Sequence, residues 1–183
     1  MVLVITGNPG VGKHTIANEI LQSKKHELLD INKIAINAEI IEKAQDAVEV
    51  DVNNLKKYLD GLITEKSLVV GHLAPYVVNS KNIDSAIVLR KNPYKLLDIY
   101  KKRGYSEKKI KDNLGSEILG IIANDSIINF GRKKTFQIDT TDSTPKTIVS
   151  KIDDIINRCD NGDNIDWLPL IQEKNDFKTF FEY

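Results

Sequence analysis

Val2-Leu3-Val4-Ile5-Thr6-Gly7-Asn8-Pro9-Gly10-Val11-Gly12-Lys13-His14-Thr15 decides the reading of the rest of the chain. Val2 to Ile5 is short, mostly β-branched and bounded by glycine, which predicts a buried strand. Gly7 opens a loop that closes on Gly12-Lys13, the G-x-x-x-x-G-K spacing of a phosphate-binding loop. Glycines suit such a loop because its N–H groups must turn inward and meet phosphate oxygens with no Cβ in the way. Lys13 adds a positive charge at the β- and γ-phosphates, and the N-terminus of the following helix points at the same place. A plain glycine turn is the alternative, but strand before and helix after are the context that phosphate binding requires.

The position after the lysine normally carries Ser or Thr for Mg²⁺; here it is His14, with Thr15 next. G-K-x-T resembles the loop of nucleoside monophosphate kinases. Mg²⁺ prefers oxygen ligands and keeps much of its water, so His14 reads as a first-turn helix residue beside phosphate, and no residue is assigned as a metal ligand.

The 183 residues suit one domain with a sizeable core. Lys+Arg and Asp+Glu are 26 each, so no global basic field points to nucleic acid. The single Cys159 excludes an internal disulfide and a multi-cysteine metal site, and fits a reducing compartment. With no basic leader and no 18-residue apolar run, the expectation is a soluble cytoplasmic protein without membrane contact.

Further strands are expected at Leu28–Ile31, Ser67–His72, Asp84–Arg90 and Phe136–Asp139, and Val48–Val52 alternates like a small strand or an extended link. Helices are expected from His14 to about Lys24, from Lys33 to Ala47 (Ile34, Ala38, Ile41 and Ala44 on one face), and after a cap at Asn53 or Asn54, carrying Leu55, Leu59, Leu62 and Ile63. Another begins at Pro93 and closes at Gly104. A long one runs from Ser106 through Ile110, Leu114, Ile118 and Ile121-Ile122, and Thr144-Pro145 opens the last. The tail after Gly162 is acidic, then aromatic (Trp167, Phe177, Phe180, Phe181, Tyr183), and either docks by its rings or moves. Alternating strands and helices imply an α/β three-layer sandwich with a five-stranded parallel sheet.

Ligands in such sheets bind beyond the carboxyl ends of the strands. His72, Arg90 and Asp139-Thr140-Thr141 stand at such ends, with the phosphate loop. His72 is either a hydrogen-bonded support under the loop or a catalytic group, and Arg90 covers phosphate or closes an ion pair. Arg132 reads as a solvated charge. Lys101 to Lys111 holds six basic residues in eleven, which is either a solvated helix corner or a lid folding over phosphates, with Arg103 as its clamp. The third strand ends in Val70-Gly71-His72 and offers no carboxylate for the Mg²⁺ shell. Asp30, Asp51 and Asp139 are the candidates to replace it.

Thr6-Gly7-Asn8-Pro9-Gly10-Val11-Gly12-Lys13-His14-Thr15, Val69-Val70-Gly71-His72, Ile87-Val88-Leu89-Arg90, Arg103-Gly104-Tyr105-Ser106-Glu107-Lys108-Lys109-Ile110, Asp112-Asn113 and Glu117-Ile118 together resemble the adenylate kinase isoenzyme 6 family of P-loop proteins, small kinases of archaea and of the eukaryotic nucleus. The resemblance covers roughly residues 1–160 as one kinase core, with residues 161–183 as a tail. It implies reversible transfer of the ATP γ-phosphate to AMP or another nucleoside monophosphate with Mg²⁺, some ATPase activity, and a role in small ribosomal subunit maturation through a small-subunit ribosomal protein of the pre-ribosome. Carried over by position, Gly10, Gly12, Lys13, His14, Thr15 and Arg103 bind ATP, with Lys13, Arg103 and His72 as the catalytic set. Residues 30–53 form the monophosphate segment and 102–112 the lid. The chain departs from the family pattern at Val70, where an acid is frequent, at Asn32-Lys33, where a Gly-Asp pair is usual, and near Ile99, where an arginine is usual. An ATP-dependent assembly factor with little kinase activity, and a kinase acting on another small molecule, are the alternatives.

Overall fold

The computed structural model describes residues 1–43 and 48–181. In chain order its elements are β1 (Leu3–Thr6), α1 (Lys13–Ser23), β2 (Glu27–Asp30), α2 (Ile31–Asn37), β3 (Ile41–Lys43), β4 (Val48–Val50), α3 (Val52–Asp60), β5 (Ser67–Val70), α4 (Ala74–Val77) and β6 (Ser85–Arg90). Then follow α5 (Pro93–Lys102), α6 (Glu107–Ile118), α7 (Ile121–Phe130), β7 (Thr135–Asp139), α8 (Pro145–Ile156), α9 (Leu168–Glu173) and α10 (Phe177–Phe181).

Strands β2, β5, β1, β6 and β7 form one sheet in that order, every pair parallel. Side-chain alternation divides the strands between two cores. Leu3, Ile5, Leu68, Val70, Ile87 and Leu89 face one layer with Ile16 and Ile20 of α1, Leu96 and Tyr100 of α5, Leu114 of α6 and Ile152 of α8. Val4, Val69 and Ala86 face the other, with Ile31, Leu55, Leu59, Val77 and Phe130. The sheet is therefore covered on both faces, as its apolar strands require. The order brings the ends of β5 and β6 to either side of the loop that follows β1.

The tail docks by its rings. Trp167, Ile171 and Phe180 are buried in the first core, and Phe180 meets Tyr94 edge-on at 5.2 Å. Tyr183 lies outside the described residues.

Several local expectations change. The helix expected over 33–47 starts earlier and stops at Asn37. Asp30 caps it by accepting from the N–H groups of Asn32 and Lys33, and Glu39 then turns left-handed at φ +53°. Ile41–Lys43 pairs instead with Val48–Val50 in an antiparallel hairpin, a use of β-branched residues that helical spacing conceals. Ala44 to Ala47 lie outside the described residues. Helix α3 is capped by Asp51, accepting from Asn54 N–H at 3.0 Å, rather than by Asn53 or Asn54, and it ends before Leu62 and Ile63.

Further along the chain, α5 closes on Gly104 as expected, left-handed at φ +67° just past the C-cap Arg103. The long helix expected from Ser106 breaks at Gly120 (φ +64°) into α6 and α7. Arg90 Nη2 donates to the Glu117 carbonyl at 2.6 Å at that break, a tertiary bond that gives the helix end a partner.

Candidate functional site

The loop from Gly7 to Gly12 leaves β1 and enters α1 directly, so the first turn of α1 aims its N–H groups into the loop. Gly7 sits at φ +131°, and a Cβ there would lie 2.3 Å from the Leu89 carbonyl oxygen of β6. Only glycine lets the loop pass this close to the neighbouring strand. Tyr100 fastens the other side, its hydroxyl donating to the Pro9 carbonyl at 2.6 Å.

Lys13 is buried, and its Nζ donates to the carbonyls of Gly7 and Asn8 at 2.9 Å each. Burial and then the Arg103 charge push its pKa down to about 8, against smaller opposing effects from Glu117 and Asp30. His72 also titrates below its ordinary value, chiefly through burial and secondarily through Lys13, so near neutral pH its imidazole is uncharged.

The expected site residues Gly10, Gly12, Lys13, His14, Thr15, His72 and Arg103 all line one cavity of about 590 Å³. They come from the loop after β1, the first turn of α1, the end of β5 and the end of α5. Asn32, Tyr105, Lys109 and Asn113 line it too. Lys109 and Asn113 stand four apart on α6, the spacing that puts two side chains on one helix face. Lys109 belongs to the basic run of residues 101–111, and Asn113 lies two positions beyond it. Tyr105 is held by stacking on Tyr100, with centroids 5.4 Å apart and planes at 14°, and Lys109 Nζ lies 4.3 Å from the centre of its ring. Residues 103–113 thus form a wall of the cavity above the phosphate loop.

Arg90 resolves to the ion-pair alternative. It is buried, its Nε donates to Glu117 Oε1 at 2.7 Å, and it also donates to Gln137. Among the three carboxylates weighed for the metal shell, Asp51 caps α3 at the surface and Asp139 accepts from the Thr141 N–H. Asp30, at the end of β2 beside β5, is the one whose charge reaches Lys13. Its Oδ1 caps α2, and its Oδ2 lies 2.9 Å from His14 Nε2. Among the described residues no three His, Cys, Asp or Glu side chains group as a metal centre. A hydroxyl at Thr15 with no carboxylate cage suits a magnesium ion that arrives on a nucleotide and keeps most of its water. No helix among the described residues is long and apolar enough to cross a membrane.

Comparison with known proteins adds to this geometry. The AAA domain family matches residues 3–120. A protein of Methanococcus maripaludis named "Putative adenylate kinase" is 35% identical over 160 residues, covering 83% of this chain and 86% of its own. One of the same name from Saccharolobus islandicus is 32% identical over 176 residues, covering 92% and 88%. Among solved structures, the YorR protein of Bacillus subtilis in complex with phosphorylated GDP superposes with a TM-score of 0.63 at 13% identity, covering 86% of this chain and 96% of that one. The deoxyadenosine kinase of M. mycoides superposes with a TM-score of 0.56 at 16% identity, covering 86% and 100%. At such identities the two structures show a shared fold.

Proposed function

The chain belongs to the AAA domain family and to the adenylate kinase-like P-loop proteins of archaea, and from that membership we propose that it transfers the γ-phosphoryl group of ATP reversibly to AMP or another nucleoside monophosphate. The observation that carries the reading is the placing of Arg103 close enough to Lys13 to lower its pKa inside one cavity. Two cations that repel each other in a partly buried pocket suit a polyanion, which relieves both.

The chemistry follows from these positions. An oxygen of the monophosphate attacks the γ-phosphorus of ATP, the bond to the bridging β-oxygen breaks, and ADP leaves. Phosphoryl transfer needs alignment and charge stabilisation more than covalent help. The loop amides and Lys13 hold the β- and γ-phosphates, and Arg103 neutralises charge as the bond to the leaving group lengthens. Magnesium carried in with ATP would be held by the Thr15 hydroxyl and supplies further charge neutralisation at the phosphates. His72, uncharged, orients the transferring group by hydrogen bonding. The wall from Arg103 to Asn113, the lid of the resemblance, keeps water from replacing the acceptor. Residues 30–53, which run from the cavity through α2 and the hairpin, are the proposed acceptor segment, with Asn32 at the cavity. We assign the enzyme to the cytoplasm, as ATP dependence and the single Cys159 suggest.

The test is a coupled assay of ADP formation from ATP with each nucleoside monophosphate in turn. Product with at least one acceptor is expected; none with any of them overturns the reading. The assembly-factor alternative, in which maturation of the small ribosomal subunit is primary, loses one support because Trp167 and Phe180 are committed to the core rather than free for a partner. Its test is co-sedimentation with small-subunit precursors in the presence of ATP.

A further inference from the structure

Glu117 does not line the cavity, yet its side chain is the meeting point of everything around it. It stands in the last turn of α6 at 0% exposure. Its Oε1 accepts from Arg90 Nε at 2.7 Å, from the Lys91 N–H at 3.1 Å and from Trp167 Nε1 at 3.0 Å. Its Oε2 accepts from Asn8 Nδ2 at 2.8 Å. The phosphate loop, the end of β6, the cavity-wall helix and the tail therefore converge on one carboxylate.

A buried carboxylate is strongly unfavourable unless its charge is balanced and its oxygens are hydrogen-bonded. Arg90 balances the charge through Oε1. The bond from Oε2 goes to Asn8, the second residue of the phosphate loop, which is itself buried. The backbone carbonyl of Asn8 accepts from Lys13, so a fixed Asn8 side chain sets the peptide against which Lys13 is aligned.

We propose that Glu117 is a positioning residue that holds the phosphate loop in its nucleotide-accepting shape through Asn8, and that Trp167 ties the C-terminal segment to the same anchor. The inference rests on the nucleotide reading given above. Without the bond from Asn8, the peptides at Gly7 and Asn8 are free to rotate, and Lys13 loses its fixed approach to phosphate. Among the described residues, those beyond 160 place no side chain in the cavity, but through the indole N–H they share the oxygen that anchors α6 and Arg90. Nucleotide affinity then depends on the tail being docked.

Titration of MgATP into wild type, N8A, E117Q and the double variant, by calorimetry and well below each melting midpoint, tests this. N8A leaves the Arg90–Glu117 pair in place, so it reports on the loop bond even if E117Q folds poorly. In E117Q the Asn8 amide loses its charged acceptor, and a flipped Asn8 regains at most a weaker neutral amide bond. Each single change should weaken MgATP by about tenfold, and the double variant should bind no more weakly than E117Q.

A second readout separates positioning from simple loss of stability. Glu117 and Asp30 raise the Lys13 pKa against burial and Arg103, so E117Q should move the alkaline fall in MgATP affinity to lower pH, while N8A leaves it in place. W167F, which keeps an aromatic ring in the core but removes the N–H with the five-membered part of the indole, should weaken MgATP severalfold. Wild-type affinity in N8A, or additive losses in the double variant, would overturn the inference while the functional reading stands. Wild-type protein that binds no MgATP overturns both.

Discussion

His14 Nε2 lies 2.9 Å from Asp30 Oδ2, joining the first turn of α1 to the end of β2. Loops of this kind usually carry Ser or Thr at the position of His14, so that a hydroxyl reaches Mg²⁺. Here the imidazole turns toward a carboxylate and leaves Thr15 as the hydroxyl at the cavity. H14S should return a small oxygen ligand beside the phosphates and release Asp30 Oδ2. The Mg²⁺ concentration for half-maximal ADP formation is expected to drop severalfold. An unchanged Mg²⁺ requirement would mean that Thr15 already serves the ion fully.

Lys13 gives the cavity a pH dependence whose sign can be worked out. Its pKa in the free protein is about 8, and a bound triphosphate favours the charged amine and raises that value. A group whose pKa rises on binding contributes affinity that is complete below the free-state pKa. That affinity is lost as pH climbs through the free value toward the bound one. MgATP affinity should therefore be level from about pH 6.5 to 7.5 and fall above about pH 8, by up to about tenfold per pH unit. Binding that stays level to pH 9.5 would show that the Lys13 charge is not needed.

R103A removes both the proposed phosphate clamp and the charge that lowers the Lys13 pKa. The turnover number kcat should fall by about 10³-fold, in the range seen when arginines that stabilise phosphoryl transfer are lost. The alkaline fall in MgATP affinity should at the same time move to higher pH. R103K keeps a charge without the planar fork and should recover only part of kcat. A kcat within about threefold of wild type in R103A would remove Arg103 from the phosphoryl-transfer step.

The sheet was legible because its strands are nearly continuous apolar runs, from Val2 to Ile5, Ser67 to Val70 and Ala86 to Leu89, and such runs read the same in any context. Thr144 and Pro145 marked their helix start correctly, since capping is local chemistry: the Thr144 side chain accepts from the Thr147 N–H. The pairing of Ile41–Lys43 was missed because Ile34, Ala38 and Ile41 keep helical spacing, and periodicity along the chain does not show the competing partner, Val48–Val50. The break at Gly120 was concealed by a matching apolar stripe, and the bond from Arg90 to the Glu117 carbonyl is a contact over 27 positions. Glu117 itself reads as an ordinary charged helix residue. Its burial exists only because Arg90, Asn8 and Trp167 arrive from three other segments. The cavity residues were easier, because the loop and the ends of parallel strands are brought together by topology alone.

The tail is part of the fold. Trp167 packs in the same core as Leu114 and Ile118 of α6, and its indole N–H reaches Glu117. W167A removes a large buried ring and a hydrogen bond together, so it should destabilise the protein by about 3–5 kcal/mol. Urea unfolding followed by circular dichroism measures this. A loss under about 1 kcal/mol would show that the tail docks without supporting the core.

Gly7 should be the least replaceable residue of the loop by a steric criterion that needs no ligand. At φ +131° any side chain is strained, and the Cβ of alanine would stand 2.3 Å from the Leu89 carbonyl oxygen, a backbone atom of the adjoining strand. That oxygen cannot swing aside as a flexible side chain does, so β1 and β6 would have to separate. Gly12 provides the comparison: its φ of +99° is also left-handed, but a Cβ there meets nothing within 4 Å. G12A should then carry conformational strain alone, about 1–3 kcal/mol, while G7A should lose more than about 4 kcal/mol. Urea midpoints for the two variants, measured without nucleotide, separate the terms. Equal midpoints would mean that strain at positive φ, and not the close approach to Leu89, is what demands glycine at the start of the loop.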